Sequence, residues 1–168
     1  MSGASSWSFR EADAGRIGMV LNGLLREANA RTALLVDRTG QMLATAGEEP
    51  RFDPIAFASL TAADFSANDQ LARLLGENEF GALFHQGEKD SLYLADVARR
   101  VILVVLFDNR TTLGLVKLRV RGAAEALTAL FLELFAREAA GERGGRVETG
   151  FVGEAEDEID KLFGSSGP

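Results

Sequence analysis

Histidine and cysteine, side chains often recruited for nucleophilic, acid–base and metal chemistry, are almost absent from this chain. It contains a single histidine, His85, and no cysteine. No carboxylate stands at ligand spacing beside His85, so this lone imidazole lacks the partners that a metal site needs. Without cysteine, thiolate sites and disulfides are excluded. We therefore interpret His85 as a structural or surface residue and expect no metal ligands.

The sequence patterns of common active sites are also missing. No GxGxxG follows a strand and no GxxxxGK[ST] occurs, so no phosphate-binding loop is predicted. Serine, histidine and aspartate are all present, but the GxSxG pattern of a nucleophile elbow is not. The acidic run at residues 156–160 lacks the glycine and the ligand spacing of a calcium loop. We expect no catalytic residue and no cofactor, and we interpret the protein as a non-enzyme.

Composition and charge indicate a soluble cytoplasmic protein. The chain has 168 residues, enough for one domain with a real core, and its hydrophobic fraction is 46%. A net charge of −7 without a basic cluster argues against binding to nucleic acid or to an anionic membrane. No basic segment followed by an apolar run marks a signal peptide, and no apolar window is long enough to span a membrane.

Hydrophobic periodicity locates the elements that would build a binding surface. Ser8 and Glu11 have the spacing of a capping box and predict the start of a first helix. Asp53 followed by Pro54 predicts the start of a second helix, which should end before Gly76. Five apolar runs bounded by turn residues predict strands at 32–37, 41–46, 82–86, 91–97 and 100–107.

The segment after the last strand has two readings. Thr111 and Thr112 are candidate N-caps, and an apolar stripe running to Leu134 favours a third helix. The alternation of Lys117, Arg119 and Arg121 with apolar residues is instead typical of an exposed strand. We favour the helix because its stripe continues in register.

The element order predicts an α+β fold, α-β-β-α-β-β-β-α, with one five-stranded antiparallel sheet and helices on its faces. The last strand, VILVVLF, has no alternation and should be central and covered on both faces. From composition we predict a disordered N-terminus at 1–8, a domain at 9–140, a flexible linker at 141–153 and an acidic tail at 154–168.

The second helix carries two apolar stripes on a helical wheel of about 100° per residue. One contains Ala56, Leu60, Ala63, Ala67, Leu71 and Leu74, and the nearly opposite one contains Ile55, Ala58, Ala62, Phe65 and Ala72. One stripe must cover the sheet. The other is covered by the same chain or forms a partner surface, since alanines allow close approach of another backbone.

The acidic tail combines negative charge with one apolar edge. Ile159, Leu162 and Phe163 are spaced for a short helix that would not be stable alone in water. Such a segment is suited to fold on a partner. The alternative is a solubilising tail, which has no use for Leu162 and Phe163.

Several segments, in unbroken order over about residues 22–135, resemble a known family. They are LLVDRTGQMLATAGE, ASLTAAD, LARLLGENEF, FHQGEKDSLYLADV and VILVVLFDNRTTLGLVKLRVR. These segments resemble the Roadblock/dynein light-chain family and, within it, the bacterial MglB group. The tail sequence DEIDKLF is similar to MglB as well.

The resemblance implies a homodimer that joins two sheets edge to edge and pairs the second helices. It implies binding of one Ras-like small GTPase of the MglA type across those helices, at Ala62, Ala63, Ser66, Ala67 and Gln70. It further implies that the dimer stimulates GTP hydrolysis by reorienting the GTPase's own arginine and glutamine, in bacterial cell polarity and gliding motility. The tail residues Ile159, Leu162 and Phe163 would contact the GTPase elsewhere and affect nucleotide exchange.

The chain departs from the MglB pattern at Asp64, Phe65, Asp69 and Gln70, where small residues are usual after the LTA sequence. This leaves open a different GTPase partner, or a scaffold that binds a GTPase without activating it. A small-molecule sensor on a similar sheet has no support in the sequence. Arg110 could be an arginine finger supplied in trans, but we favour a local pairing or capping role, because the resemblance implies no finger.

Overall fold

The computed structural model describes the backbone of residues 7–163 and the side chains of residues 7–141. The elements are α1 (Glu11–Ala28), β1 (Thr32–Asp37), β2 (Met42–Gly47), α2 (Pro54–Leu74), β3 (Ala82–Gln86), β4 (Ser91–Val97), β5 (Val101–Phe107) and α3 (Leu113–Phe163). Three of the five strands have the predicted bounds, and β2 and β5 each begin one residue later than expected. None of the described helices is long and apolar enough to cross a membrane.

The five strands form one antiparallel sheet in the order β2-β1-β5-β4-β3. The prediction that VILVVLF is central is confirmed, because β5 lies between β1 and β4 and six of its seven residues are buried. The predicted α-β-β-α-β-β-β-α order and the antiparallel sheet are likewise confirmed.

Side-chain alternation divides the strands between two covered faces. On one face, Ala58 and Phe65 of α2 pack against Leu34, Ile102 and Val104 of the sheet, with further residues of β1 and β4. The alternate residues Leu35, Leu103 and Val105 are also fully buried and point to the opposite face. α1, together with α3 up to Leu130, supplies buried apolar residues there: Ile17, Leu21, Leu24, Val116, Val120 and Leu127.

The start of α1 differs from the expected capping box. The N-cap is Arg10, which makes no side-chain cap, and Ser8 lies outside the helix. The Arg10 carbonyl oxygen accepts hydrogen bonds from the backbone N–H groups of Asp13 and Ala14, each at 3.0 Å. Because the helix begins at Glu11, the pair Ser8–Glu11 is two residues out of register for a capping box.

The start of α2 is the one predicted. The Asp53 carboxylate accepts a hydrogen bond from the backbone N–H of Ile55 at 3.0 Å, and Pro54 is the first helical residue. After the C-cap Leu75, Gly76 adopts a φ of +80°, a left-handed conformation that glycine tolerates better than other residues. Both ends of α2 therefore lie where the sequence predicts them.

The helix reading of the segment after β5 is confirmed, and the strand reading of residues 117–121 is wrong. The Thr112 hydroxyl accepts a hydrogen bond from the Leu115 backbone N–H at 3.3 Å. The backbone is helical through 141–153, where composition predicts a linker, and onward to Phe163. The chain divides into two compact units, Met1–Leu130 and Phe131–Pro168.

Candidate functional site

The most distinctive surface of the first unit is an apolar stripe along α2. Leu60, Leu71 and Leu74 are 70%, 56% and 83% exposed, an unusual state for large apolar side chains on one helix. The α2 stripe, as we define it, consists of Ala56, Leu60, Ala63, Ala67, Leu71 and Leu74, all exposed. A contiguous exposed apolar stripe is typical of a protein–protein interface.

The opposite stripe of α2 serves the chain's own core. Ala58, Phe65 and Ala72 are fully buried and Ala62 is 7% exposed. Ile55 is the exception at 78% exposed, because it sits in the first turn of the helix. The helical wheel therefore separates the two stripes correctly, apart from this end residue.

The five α2 residues predicted to bind a partner do not all lie together. Ala63, Ser66, Ala67 and Gln70 are exposed on or beside the α2 stripe. Ala62 instead belongs to the buried side, because α2 turns this position toward the sheet. The exposed set of four remains a proposal for the partner surface. The predicted tail residues Ile159, Leu162 and Phe163 have backbone within α3, and their side chains lie outside the described residues.

The residues that depart from the MglB pattern have structural roles within the chain. Phe65 is fully buried in the core under α2. Asp64 contacts His85 of β3, with 2.6 Å between Oδ2 and Nε2. This contact ties α2 to an edge strand, and it gives His85 the structural and surface position that we expected from the sequence. Only Gln70 is free of such a role and points outward on α2.

Asp69 belongs to a cluster that we call the Arg38 clamp, formed by Arg38, Phe65, Asp69 and Asp96. The Arg38 guanidinium donates to Asp69 of α2 at 2.6 Å and to Asp96 of β4, and it lies 4.5 Å from the centre of the Phe65 ring. Burial lowers the pKa of Arg38, but the hydrogen bonds to Asp96 and Asp69 outweigh it, so that the pKa is raised overall. The clamp joins the β1–β2 turn, α2 and β4 by charge-assisted hydrogen bonds.

The Arg38 clamp could not be predicted from the sequence, because the partners of Arg38 lie far from it in the chain. Asp69 is 31 residues and Asp96 is 58 residues from Arg38. The departure of Asp69 from the MglB pattern is a sequence signal for this position, but by itself it predicts a change in the partner surface and not an ion pair within the chain.

Arg110 lies in a second charged cluster at the end of the sheet. Its Nε donates to both carboxylate oxygens of Asp108, at 3.0 and 3.2 Å, and its Nη2 lies 3.3 Å from Glu48. Arg31 joins the cluster by donating to Glu48 at 2.9 Å and to Asp90 at 2.6 Å. The hydrogen bond from Arg110 lowers the pKa of Asp108. Arg110 is therefore engaged in local pairs, as the favoured reading of the sequence expects.

The described residues contain no group of three or more histidine, aspartate or glutamate side chains that could hold a metal ion. His85 has Asp64 as its one carboxylate contact within the described side chains. In residues 7–141, the most distinctive arrangement is the exposed α2 stripe, which is of the kind found at protein–protein interfaces.

Comparisons with known proteins agree with this fold. Residues 16–107 match the family profile of the Roadblock/LC7 domain. Myxococcus xanthus MglB has a solved structure with 48% sequence identity and a TM-score of 0.68, covering 70% of this chain and 96% of that one. The gliding protein MglB from Thermus thermophilus is 39% identical with a TM-score of 0.70, covering 76% and 97%.

A further solved structure, described as MglB with a tetrameric arrangement, is 40% identical with a TM-score of 0.71, covering 76% of this chain and 96% of that one. A search of the curated proteins found no match.

Proposed function

This chain belongs to the Roadblock/LC7 family and is similar to bacterial MglB proteins, and from this premise we propose that it is a homodimeric activator of a Ras-like small GTPase of the MglA type. The observation that carries the proposal is the α2 stripe, which is exposed in one chain and lies on a helix anchored at its N-cap and by the Arg38 clamp. The similarity to a gliding protein supports a role in cell polarity and motility, in the cytoplasm.

Dimerisation through α2 and an edge of the sheet would bury much of this stripe. The sheet has two edge strands, β2 and β3, and edge strands offer unpaired backbone groups to a second chain. The β3 edge is the better candidate, because the Asp64–His85 contact places α2 beside it. A two-fold axis there would set the α2 helices side by side and make each substitution count twice.

Activation in this proposal comes from alignment of the GTPase's own residues. Holding reactive groups in productive geometry can contribute several orders of magnitude to phosphoryl transfer, whichever chain aligns them. Arg110 does not act as a finger in this mechanism, because leaving Asp108 and Glu48 would break its local pairs. Ala63, Ser66, Ala67 and Gln70 form the contact surface on α2, and the tail residues Ile159, Leu162 and Phe163 bind the GTPase at a second place and modulate nucleotide exchange.

The proposal is tested by single-turnover GTP hydrolysis by the cognate Ras-like GTPase, with and without saturating amounts of this protein. We expect acceleration by the wild type and its loss in Ala63→Arg, which places a long charged side chain on the α2 stripe. Ala126→Arg, at an exposed alanine of α3, is the matched control and should accelerate hydrolysis like the wild type. Binding of the wild type without acceleration would leave only the alternative, a non-catalytic Roadblock scaffold.

A further inference from the structure

A polar cleft of about 350 Å³ lies along the edge of the α2 surface, on the side of its C-terminal half. Ala62, Ser66, Asp69 and Arg73 recur every three or four residues and therefore form one wall from a single side of α2. The other walls are Arg38 before β2, Asn78 and Glu79 in the loop after α2, and Arg99 in the β4–β5 turn.

The charged side chains around this cleft differ in whether they form ion pairs. The two terminal nitrogens of the Arg38 guanidinium, Nη1 and Nη2, are occupied by Asp69 and Asp96 in the clamp. The guanidinium groups of Arg73 and Arg99 make no ion pair with any side chain of residues 7–141, and both residues are exposed. Glu79 is the remaining carboxylate of the lining. Two cations without an ion pair among these residues therefore border a cleft in a chain whose net charge is −7.

The position of Arg99 depends on an unusual turn. Ala98 and Arg99, in the three-residue loop between the paired residues Val97 and Val101, have φ of 52° and 59°, the left-handed conformation that asparagine and glycine adopt far more readily. The Asp96 carboxylate accepts a hydrogen bond from the Arg99 backbone N–H at 3.1 Å and so stabilises the turn. Asp96 thus connects the Arg38 clamp to the backbone that carries Arg99.

We propose that this cleft binds a carboxylate side chain from an acidic segment of the partner GTPase, held between Arg73 and Arg99. A guanidinium group can donate two parallel hydrogen bonds to a carboxylate, which suits two arginines at one cleft. Ser66 and Asn78 supply neutral polar groups beside them. Ser66 also lies next to Ala63 and Ala67 on α2, so a protein seated on the α2 stripe would reach the cleft. The inference rests on the proposed function and adds the chemistry of one contact to it.

The test measures the affinity of the dimer for the GTPase as a function of salt concentration. The double variant Arg73→Gln and Arg99→Gln removes both cations, and Arg26→Gln is the control, because Arg26 is an exposed arginine on α1, a helix that packs on the face of the sheet opposite α2. We expect a roughly five- to tenfold weaker affinity for the double variant at low salt, the scale of two partly exposed ion pairs. Its affinity should also depend less on salt, since screened charge pairs have been removed.

Equal affinity and equal salt dependence for the double variant and the wild type would overturn the inference while leaving the proposed function intact. A wild type that does not bind the GTPase at all would overturn both. Unchanged thermal melting would show that the double variant is folded. If the double variant does not fold, Arg73→Gln alone, at an exposed position of α2, should still weaken binding by about twofold or more at low salt. An unchanged affinity in that single variant would also overturn the inference.

Discussion

Replacing Arg38 with methionine isolates the charge of the Arg38 clamp from its packing. Methionine keeps an unbranched side chain over the Phe65 ring, while the two hydrogen bonds to Asp69 and Asp96 are lost. The three charged side chains of the clamp are 26%, 24% and 15% exposed, so they are largely withdrawn from water. Asp69 and Asp96 would then face each other across the vacated site without a cation.

The expected cost follows from that burial. Hydrogen bonds to charged groups contribute about 1.5–3 kcal/mol each in folded proteins. Removing one partner of a fully buried ion pair costs about 3–5 kcal/mol, and the residual exposure here reduces the effect. We therefore expect Arg38→Met to lower the free energy of unfolding by about 2–3 kcal/mol, or the Tm by roughly 6–9 °C for a chain of this size.

The measurement is urea unfolding followed by circular dichroism, with two comparisons. Asp69→Asn should cost less than Arg38→Met, because the Asp96 contact survives. Arg119→Met breaks the exposed pair of Arg119 with Glu27 at 3.5 Å and should cost no more than about 0.5 kcal/mol. An Arg38→Met variant no less stable than Arg119→Met would refute this reasoning, because the clamp would then contribute no more than an ordinary surface ion pair.

Three further changes have defined outcomes. Burial raises the pKa of Asp37, but hydrogen bonds from Gln41, Thr39 and Trp7 lower it further, so the folded pKa lies below the unfolded one. The stability that Asp37 contributes is complete above the unfolded pKa of about 4 and is lost as pH falls through the folded pKa. Asp37→Asn should therefore reduce the dependence of the free energy of unfolding on pH in the acid range. An unchanged dependence on pH would contradict this expectation. Arg110→Ala should leave GTP hydrolysis within a few-fold of the wild type, whereas a loss of two orders of magnitude with binding intact would identify a finger. Deleting the residues after Ala140 should leave the dimer folded and weaken GTPase binding about tenfold or alter labelled-nucleotide release; identical values would leave the tail as a solubilising segment.

The fold was predictable because the local signals agreed with the tertiary structure. Asp53 and Pro54 marked the start of α2, and the unbroken apolar run of β5 marked a strand covered on both faces. The N-cap of α1 was not predictable, because the backbone carbonyl of Arg10 accepts the hydrogen bonds there and any residue can supply a backbone carbonyl. A helical wheel also could not show which stripe of α2 covers the sheet, because both stripes are apolar. The structure shows that it is the stripe with Phe65, whose ring packs in the core.

The site was predictable only in part, because its polar contacts join distant segments. The helical wheel placed Ala62 nearly opposite Ala63 and Ala67, whereas the resemblance assigned all three to the partner surface, and the burial of Ala62 agrees with the wheel. Asp64 and Asp69 looked like changes in a partner surface, whereas both pair within the chain, with His85 and with Arg38. No local pattern brings residues from the β1–β2 turn, α2 and β4 to one point, so only the folded chain shows the Arg38 clamp.

In our proposal, the α2 stripe is the surface through which this chain binds a second copy and its GTPase. Sedimentation velocity at micromolar concentration, with and without the GTPase, measures both contacts. We expect the wild type at twice the 18.0 kDa of one chain and a faster complex when the GTPase is added, and we expect Ala63→Arg to lose the dimer, the complex or both. A wild type that sediments as an 18.0 kDa monomer, or an Ala63→Arg variant that dimerises and binds as the wild type does, would show that the α2 stripe is not this surface.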